Sequence, residues 1–171
     1  ASAAVGAPNI LPDPETTLKK FIELIADEAF RRSVGISAFR VFAGFSLSVA
    51  AGMLIGVPAG IKSAVRSAFG PVLAIIRTTP IMSVILIALL WFETGTVPVF
   101  SAFLIGFPVV VQNVIAGIRQ TDTRLIEMGR AYGFTARRML TAVYIPSVVP
   151  YLVSGAQTAL GLTWKVVVAA E

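Results

Sequence analysis

The residues able to do chemistry in this chain are few and mostly of one kind. Its 171 residues include nine Asp or Glu and fourteen Lys or Arg, with no Cys and no His. Thiol chemistry, disulfides, Cys or His zinc clusters and a His-based triad are excluded at the start. No paired-carboxylate cluster lies in the apolar stretches, so no catalytic residue and no metal site is predicted. Gly56 to Ser63 superficially resembles a phosphate-binding loop. A Walker A loop needs Gly and Lys adjacent, and here Ile61 separates Gly60 from Lys62. What remains is charge set against apolar sequence. Arg77 and Lys165 stand in or beside long apolar runs, and one strongly basic segment runs from Arg119 to Leu140. A cation at membrane depth can face an anion, a cavity or a partner. A basic, amphipathic loop can dock another protein.

Membrane-spanning helices must position these groups. The chain is 56% hydrophobic and only 13% charged, where soluble domains carry about a quarter charged residues. The net charge of +5 raises nucleic acid as a partner. That reading is rejected, because no aromatic-interleaved basic patch exists and the basic residues flank apolar runs; membrane topology explains the excess. The chain starts without Met and stops at Glu171 inside an apolar run, so it reads as incomplete at both ends.

Residues 1–14 read as an irregular segment. Residues 15–33 read as an amphipathic helix, with Leu18, Phe21, Ile22, Ile25 and Ala29 at helical spacing. It is too charged to span; an interfacial position and packing on its own protein are equal alternatives. Residues 34–171 form the membrane domain, with spans at about 36–61, 69–92, 97–118 and 141–164 and a loop over 119–140. In the first span Gly44, Ser48, Gly52, Gly56 and Gly60 recur every four residues, a stripe that lets another helix approach closely.

The second span is irregular. Thr78 to Phe92 is too short to cross alone, and a start near Phe69 puts Arg77 inside, ahead of a helix-interrupting Pro80. Arg77 either faces a cavity or partner or snorkels to the interface; the two readings stand even. Gln112 and Asn113 are the polar residues of the third span, and Lys165 follows the fourth. The positive-inside rule puts Lys62–Arg66 and Arg119–Arg138 in the cytoplasm. Arg31, Arg32 and Arg40 then lie outside, against the bias, unless an earlier span precedes them.

In the basic loop, Asp122 or Thr123 can cap a short helix that presents Leu125, Met128 and Tyr132 on one face, with Glu127 and Arg130 elsewhere. Gly133 is placed to end it in the left-handed conformation, and Thr135 can cap the next helix. The string Glu127-Met128-Gly129-Arg130-Ala131-Tyr132-Gly133, then nine residues, then Val143-Tyr144-Ile145-Pro146, resembles the EAA loop of ATP-binding-cassette importer permeases. That family reads Glu-Ala-Ala, three residues, Gly, nine residues, Ile-x-Leu-Pro. Met128 and Gly129 depart from its two Ala positions, and Gly129 predicts a helix weakened by about 1 kcal/mol. Ser37 to Phe45, Arg77-Thr78-Thr79-Pro80, Trp91-Phe92 and Trp164 to Glu171 resemble the nitrate, sulfonate and taurine type of permease. Glu93 stands where that subgroup often has Gly.

The resemblance covers residues 9–171. It implies an all-α, MetI-like type I importer fold in a bacterial inner membrane. It implies two permease copies as a homodimer, two ATPase subunits that bind the ATP and Mg, and an extracytoplasmic solute-binding protein. The permease itself would be no enzyme and hold no cofactor; lipids surround it, and nucleic acid is not a partner. The coupling loop would comprise Leu125, Glu127, Met128, Arg130, Tyr132, Gly133 and Pro146. A translocation path would draw on Arg77, Pro80, Gln112, Asn113, Trp164, Lys165 and Glu171, for a small anion such as nitrate, sulfonate or taurine. Glu171 could offset Lys165 or serve a gate, and Lys165 could equally snorkel. A secondary transporter or channel without an ATPase is the alternative, and it leaves the EAA spacing unexplained.

Overall fold

The computed structural model describes residues 14–171, and every regular element among them is helical. Helix α1 is Pro14–Ala26 and α2 is Glu28–Ile61. The single helix predicted over 15–33 is broken at Asp27, whose carboxylate accepts a hydrogen bond from the Ala29 N–H at 3.1 Å and so caps α2. No residue of α1 is buried, and its apolar stripe lies open. The irregular segment predicted over 1–14 lies outside the described residues, except Pro14, which opens α1. The described residues divide into two units, one up to Phe39 and one from Arg40 to Glu171, and the groups of interest lie in the second.

The second unit continues with α3 (Ser63–Thr78), α4 (Ile81–Trp91), α5 (Val97–Arg119), α6 (Thr123–Ala131), α7 (Ala136–Met139), a π-helical turn (Leu140–Tyr144) and α8 (Ile145–Ala170). Helices α2, α5 and the continuous run from Ala136 to Ala170 are long and apolar enough to cross a membrane. The fourth span predicted over 141–164 thus extends at both ends, and Lys165 lies inside α8 rather than after it.

Helix α5 is the hub of this unit, with Val110, Val111 and Val114 fully buried. The glycine stripe of α2 meets it directly. A Cβ added at Gly44, Gly52, Gly56 or Gly60 would fall 2.5–2.8 Å from the nearest atoms of Ala102, Val110, Val114 and Ile118 respectively. The two helices thus carry matched four-residue ridges, small on α2 and branched on most of α5. Lipid offers no hydrophobic drive between helices, so this close packing is what holds them. Ser48 adds a polar tie: its hydroxyl lies 2.8 Å from the Gly44 carbonyl and 3.1 Å from the Phe103 carbonyl on α5. On the opposite side, Gly117 admits Tyr151 and Val148 of α8, and Gly155 of α8 admits Asn113.

The span predicted over 69–92 is two helices, α3 and α4, bent by 93°. The cause is local. Pro80 lacks an N–H and disfavours helical backbone at the residue before it, so Thr79 is extended at φ −73, ψ 127. The two threonine hydroxyls bond back into the last turn of α3. Thr78 Oγ1 donates to the Ala74 carbonyl at 3.0 Å, and Thr79 Oγ1 to the Ile75 carbonyl at 2.7 Å.

Candidate functional site

Two places in the second unit gather the residues singled out by sequence. The first is the loop after α5. Asp122 caps α6, its carboxylate accepting from the Arg124 N–H at 2.9 Å. The helix ends in a Schellman turn: the Phe134 N–H donates to the Gly129 carbonyl at 2.8 Å and the Gly133 N–H to the Arg130 carbonyl at 3.0 Å. Gly133 sits at φ 66, and no other described residue has positive φ. Thr135 then caps α7 by accepting from the Arg138 N–H at 3.3 Å. Between these fixed ends, α6 turns Ile126 and Gly129 inward. Leu125, Met128 and Tyr132 face outward at 42%, 44% and 76% exposure, with Glu127 and Arg130 also exposed.

Gly129, the departure from the expected Ala, has a packing reason. A Cβ there would meet the Met139 methyl at 2.7 Å and the Phe134 ring at 3.2 Å. Phe134 itself lies under the Arg138 guanidinium, 4.5 Å from ring centre to charge. The loop therefore has a small core of Gly129, Phe134 and Met139 that sequence reading missed; an apolar residue directly after the turn glycine was the available signal. Gly129→Ala should be close to neutral. The gain of about 1 kcal/mol in helix propensity offsets displacement of a flexible Met end. Gly129→Leu should lift α6 off this core. Hydrogen exchange over residues 123–132 would show the contrast, and equal loss of protection in both variants would rule the packing account out.

Pro146 lies just inside α8, after the π-helical turn. Its ring would crowd the Ala142 carbonyl in a regular helix. The widened turn, closed by the Ile145 N–H on the Leu140 carbonyl, absorbs that conflict.

The second place is the break between α3 and α4. A cavity of about 260 Å³ opens there, lined by Arg77, Thr79 and Ile81 of the broken span, by Leu104, Ile105, Pro108 and Val109 of α5, and by Leu162 of α8. Pro108 stands midway along α5, roughly 16 Å from either end. The cavity is therefore near mid-bilayer depth in a hydrocarbon core of ~30 Å. Arg77 makes no ion pair among the described residues.

Of the other candidate path residues, only Pro80 belongs here, between Thr79 and Ile81. Asn113 is turned away: its amide donates to the Val109 carbonyl at 2.9 Å and packs on Gly155. Gln112, Trp164 and Lys165 are exposed and do not line the cavity. Glu171 does not offset Lys165, which has no ion pair among the described residues. It bonds instead to Arg40 at 2.6 Å, tying the start of the first span to the end of α8.

Spans locked by a glycine stripe, a span broken at mid-depth, and a capped helix held outside the bilayer define a polytopic membrane component with an extramembranous helical loop. The chain belongs to the family of binding-protein-dependent transport system inner membrane components, whose family model matches residues 48–171. It is similar to a Bacillus subtilis (strain 168) protein assigned as an aliphatic sulfonates transport permease protein, 32% identical over 95% of this chain and 59% of that one. It is also similar to the taurine transport system permease protein TauC of Escherichia coli (strain K12), 24% identical over 96% of this chain and 62% of the relative. The nitrate import permease protein NrtB of Synechococcus elongatus is 30% identical over 80% of this chain and 49% of its own length. The chain thus spans about three fifths of the first two relatives. A solved structure titled "Crystal structure of an amino acid ABC transporter with histidines" shares the fold, with a TM-score of 0.72 at 16% identity over 94% of this chain and 76% of that one.

Proposed function

We propose that the chain is the membrane-spanning core of a permease subunit in an ATP-driven importer of small anions. The observation that carries this reading is the rigidly capped α6 with its exposed apolar edge, Leu125, Met128 and Tyr132. An exposed apolar helix edge in water calls for a partner groove. In this reading the partner is an ATPase subunit, one beneath each of two permease copies, and it binds the ATP and Mg and performs the hydrolysis. An extracytoplasmic binding protein delivers the solute. Closure of the ATPase pair moves α6, and the connection through Gly133 and α7 into α8 carries the movement into the membrane. ATP shifts the inward and outward states only as far as α6 contacts the ATPase differently in each.

The anion preference draws on the relatives' names and on the mid-depth cavity. Arg77 offers an unpaired cation there, and the α4 N-terminus beside it contributes partial positive charge. Arg77→Ala should lower ATP-dependent uptake of taurine or nitrate by about tenfold or more in proteoliposomes supplied with ATPase and binding protein. Arg77→Lys should restore part of it. Unchanged anion uptake by Arg77→Ala at normal expression would remove the anion assignment, and uptake that needs no ATPase would remove the importer assignment.

A further inference from the structure

We propose that the groove between the cytoplasmic end of α2 and the start of α8 is a binding site for an anionic phospholipid of the inner leaflet. Two adjoining cavities form it, sharing Val57 and Leu140. The deeper, of about 100 Å³, is walled by apolar side chains that include Met53, Val114, Val149 and Leu152. The outer, of about 420 Å³, reaches the basic end of the molecule and has Lys62 and Arg137 at its rim.

Three features select the occupant. No carboxylate lines either cavity, and neither Lys62 nor Arg137 makes an ion pair among the described residues. The rim is thus cationic, and it lies where the anionic leaflet surface attracts such residues. The length also fits. From Met53 to Lys62 the chain rises roughly 14 Å, close to the ~15 Å of hydrocarbon in one leaflet. An acyl chain can lie along the apolar wall with its phosphate between the two cations. Finally, the wall is open sideways, since Met53, Ile145 and Val149 remain 40–49% exposed, so a lipid can enter from the bilayer. A free phosphate would use the cations but leave the groove unused. A second protein would have to bring carboxylates to this rim.

The test is native mass spectrometry of the full-length protein as purified from membranes, offered phosphatidylglycerol, phosphatidylethanolamine and inorganic phosphate. Phosphatidylglycerol should be retained over phosphatidylethanolamine by roughly fivefold per cation. The preference should vanish in Lys62→Gln/Arg137→Gln. Val149→Trp, which fills the groove and keeps both charges, should lose the lipid adduct as well. Equal retention of the two lipids by the unmodified protein would overturn the proposal, as would phosphatidylglycerol binding unchanged in both variants. Displacement by an equal concentration of inorganic phosphate would assign the rim to a free anion. Because the chain has no Cys, a Val57→Cys variant that forms a disulfide between copies when isolated membranes are treated with a copper–phenanthroline oxidant would give the groove to a second copy and overturn the proposal.

Discussion

Gly133→Pro is expected to abolish ATP-driven uptake while the protein still inserts and assembles. The position is held at φ 66, and the proline ring fixes φ near −65°. Proline also removes the N–H that donates to the Arg130 carbonyl. A non-glycine residue in the left-handed region costs roughly 1–2 kcal/mol, and the lost hydrogen bond adds about 1 kcal/mol. No atom lies within 4 Å of a Cβ built at Gly133, so the effect is one of backbone and not of crowding. A graded series separates the two: Gly133→Asn should retain most uptake because Asn tolerates this conformation, Gly133→Ala less, and Gly133→Pro none. The readout is uptake beside ATP hydrolysis in reconstituted vesicles. Hydrolysis that persists without uptake is the uncoupled signature. Normal uptake by Gly133→Pro in an intact complex would withdraw the coupling role from this loop.

The second large effect is expected inside the membrane. Gly52→Leu should drive α2 and α5 apart and reduce folded protein in the membrane fraction severely. A Cβ at Gly52 would already lie 2.6 Å from Val110 Cγ1 and 2.7 Å from Val110 Cβ, and a branched Val at 0% exposure cannot swing away. Overpacking costs roughly 1–3 kcal/mol even for smaller insertions. Gly52→Ala should be milder, and Val110→Ala in the same chain should restore part of its yield by removing the colliding γ-methyl. Gly161 is the control, because nothing lies within 4 Å of a Cβ built there. Thermal stability in detergent separates the cases: Gly161→Ala should be at least as stable as the parent because Ala is the better helix former, and a Gly161→Ala variant as unstable as Gly52→Ala would show that close packing along the stripe does not set the loss.

These two glycines were legible in the sequence for different reasons. Gly133 follows an amphipathic helix and precedes a Thr cap, so its left-handed role could be read within a window of a few residues. Gly52 belongs to a repeat of four, and a repeat announces a helix face. The repeat did not say which helix fills it. Gly129 was misread: propensity marks it as a weakness, yet it makes room for Phe134 and Met139. The broken second span was half legible. Pro80 dictates an interruption, but the cavity behind it depends on α5.

The sequence by itself determined the apolar spans, the basic loop end, a cap at Asp122 or Thr123, the cap at Thr135, the turn at Gly133 and the break at Pro80. All of these arise from interactions within about five residues or from hydropathy along the chain. Only the tertiary structure decided that Glu171 pairs with Arg40, 131 residues away, and that Asn113 packs on Gly155. It alone placed Arg77 beside Pro108 and set Lys62 and Arg137 at one groove. The physical reason is that a helix can rotate about its axis and slide by a turn with little change in its own hydrogen bonds. Its polar neighbours are therefore fixed by interlocking with other helices, here by the small residues of α2 and α8 against α5.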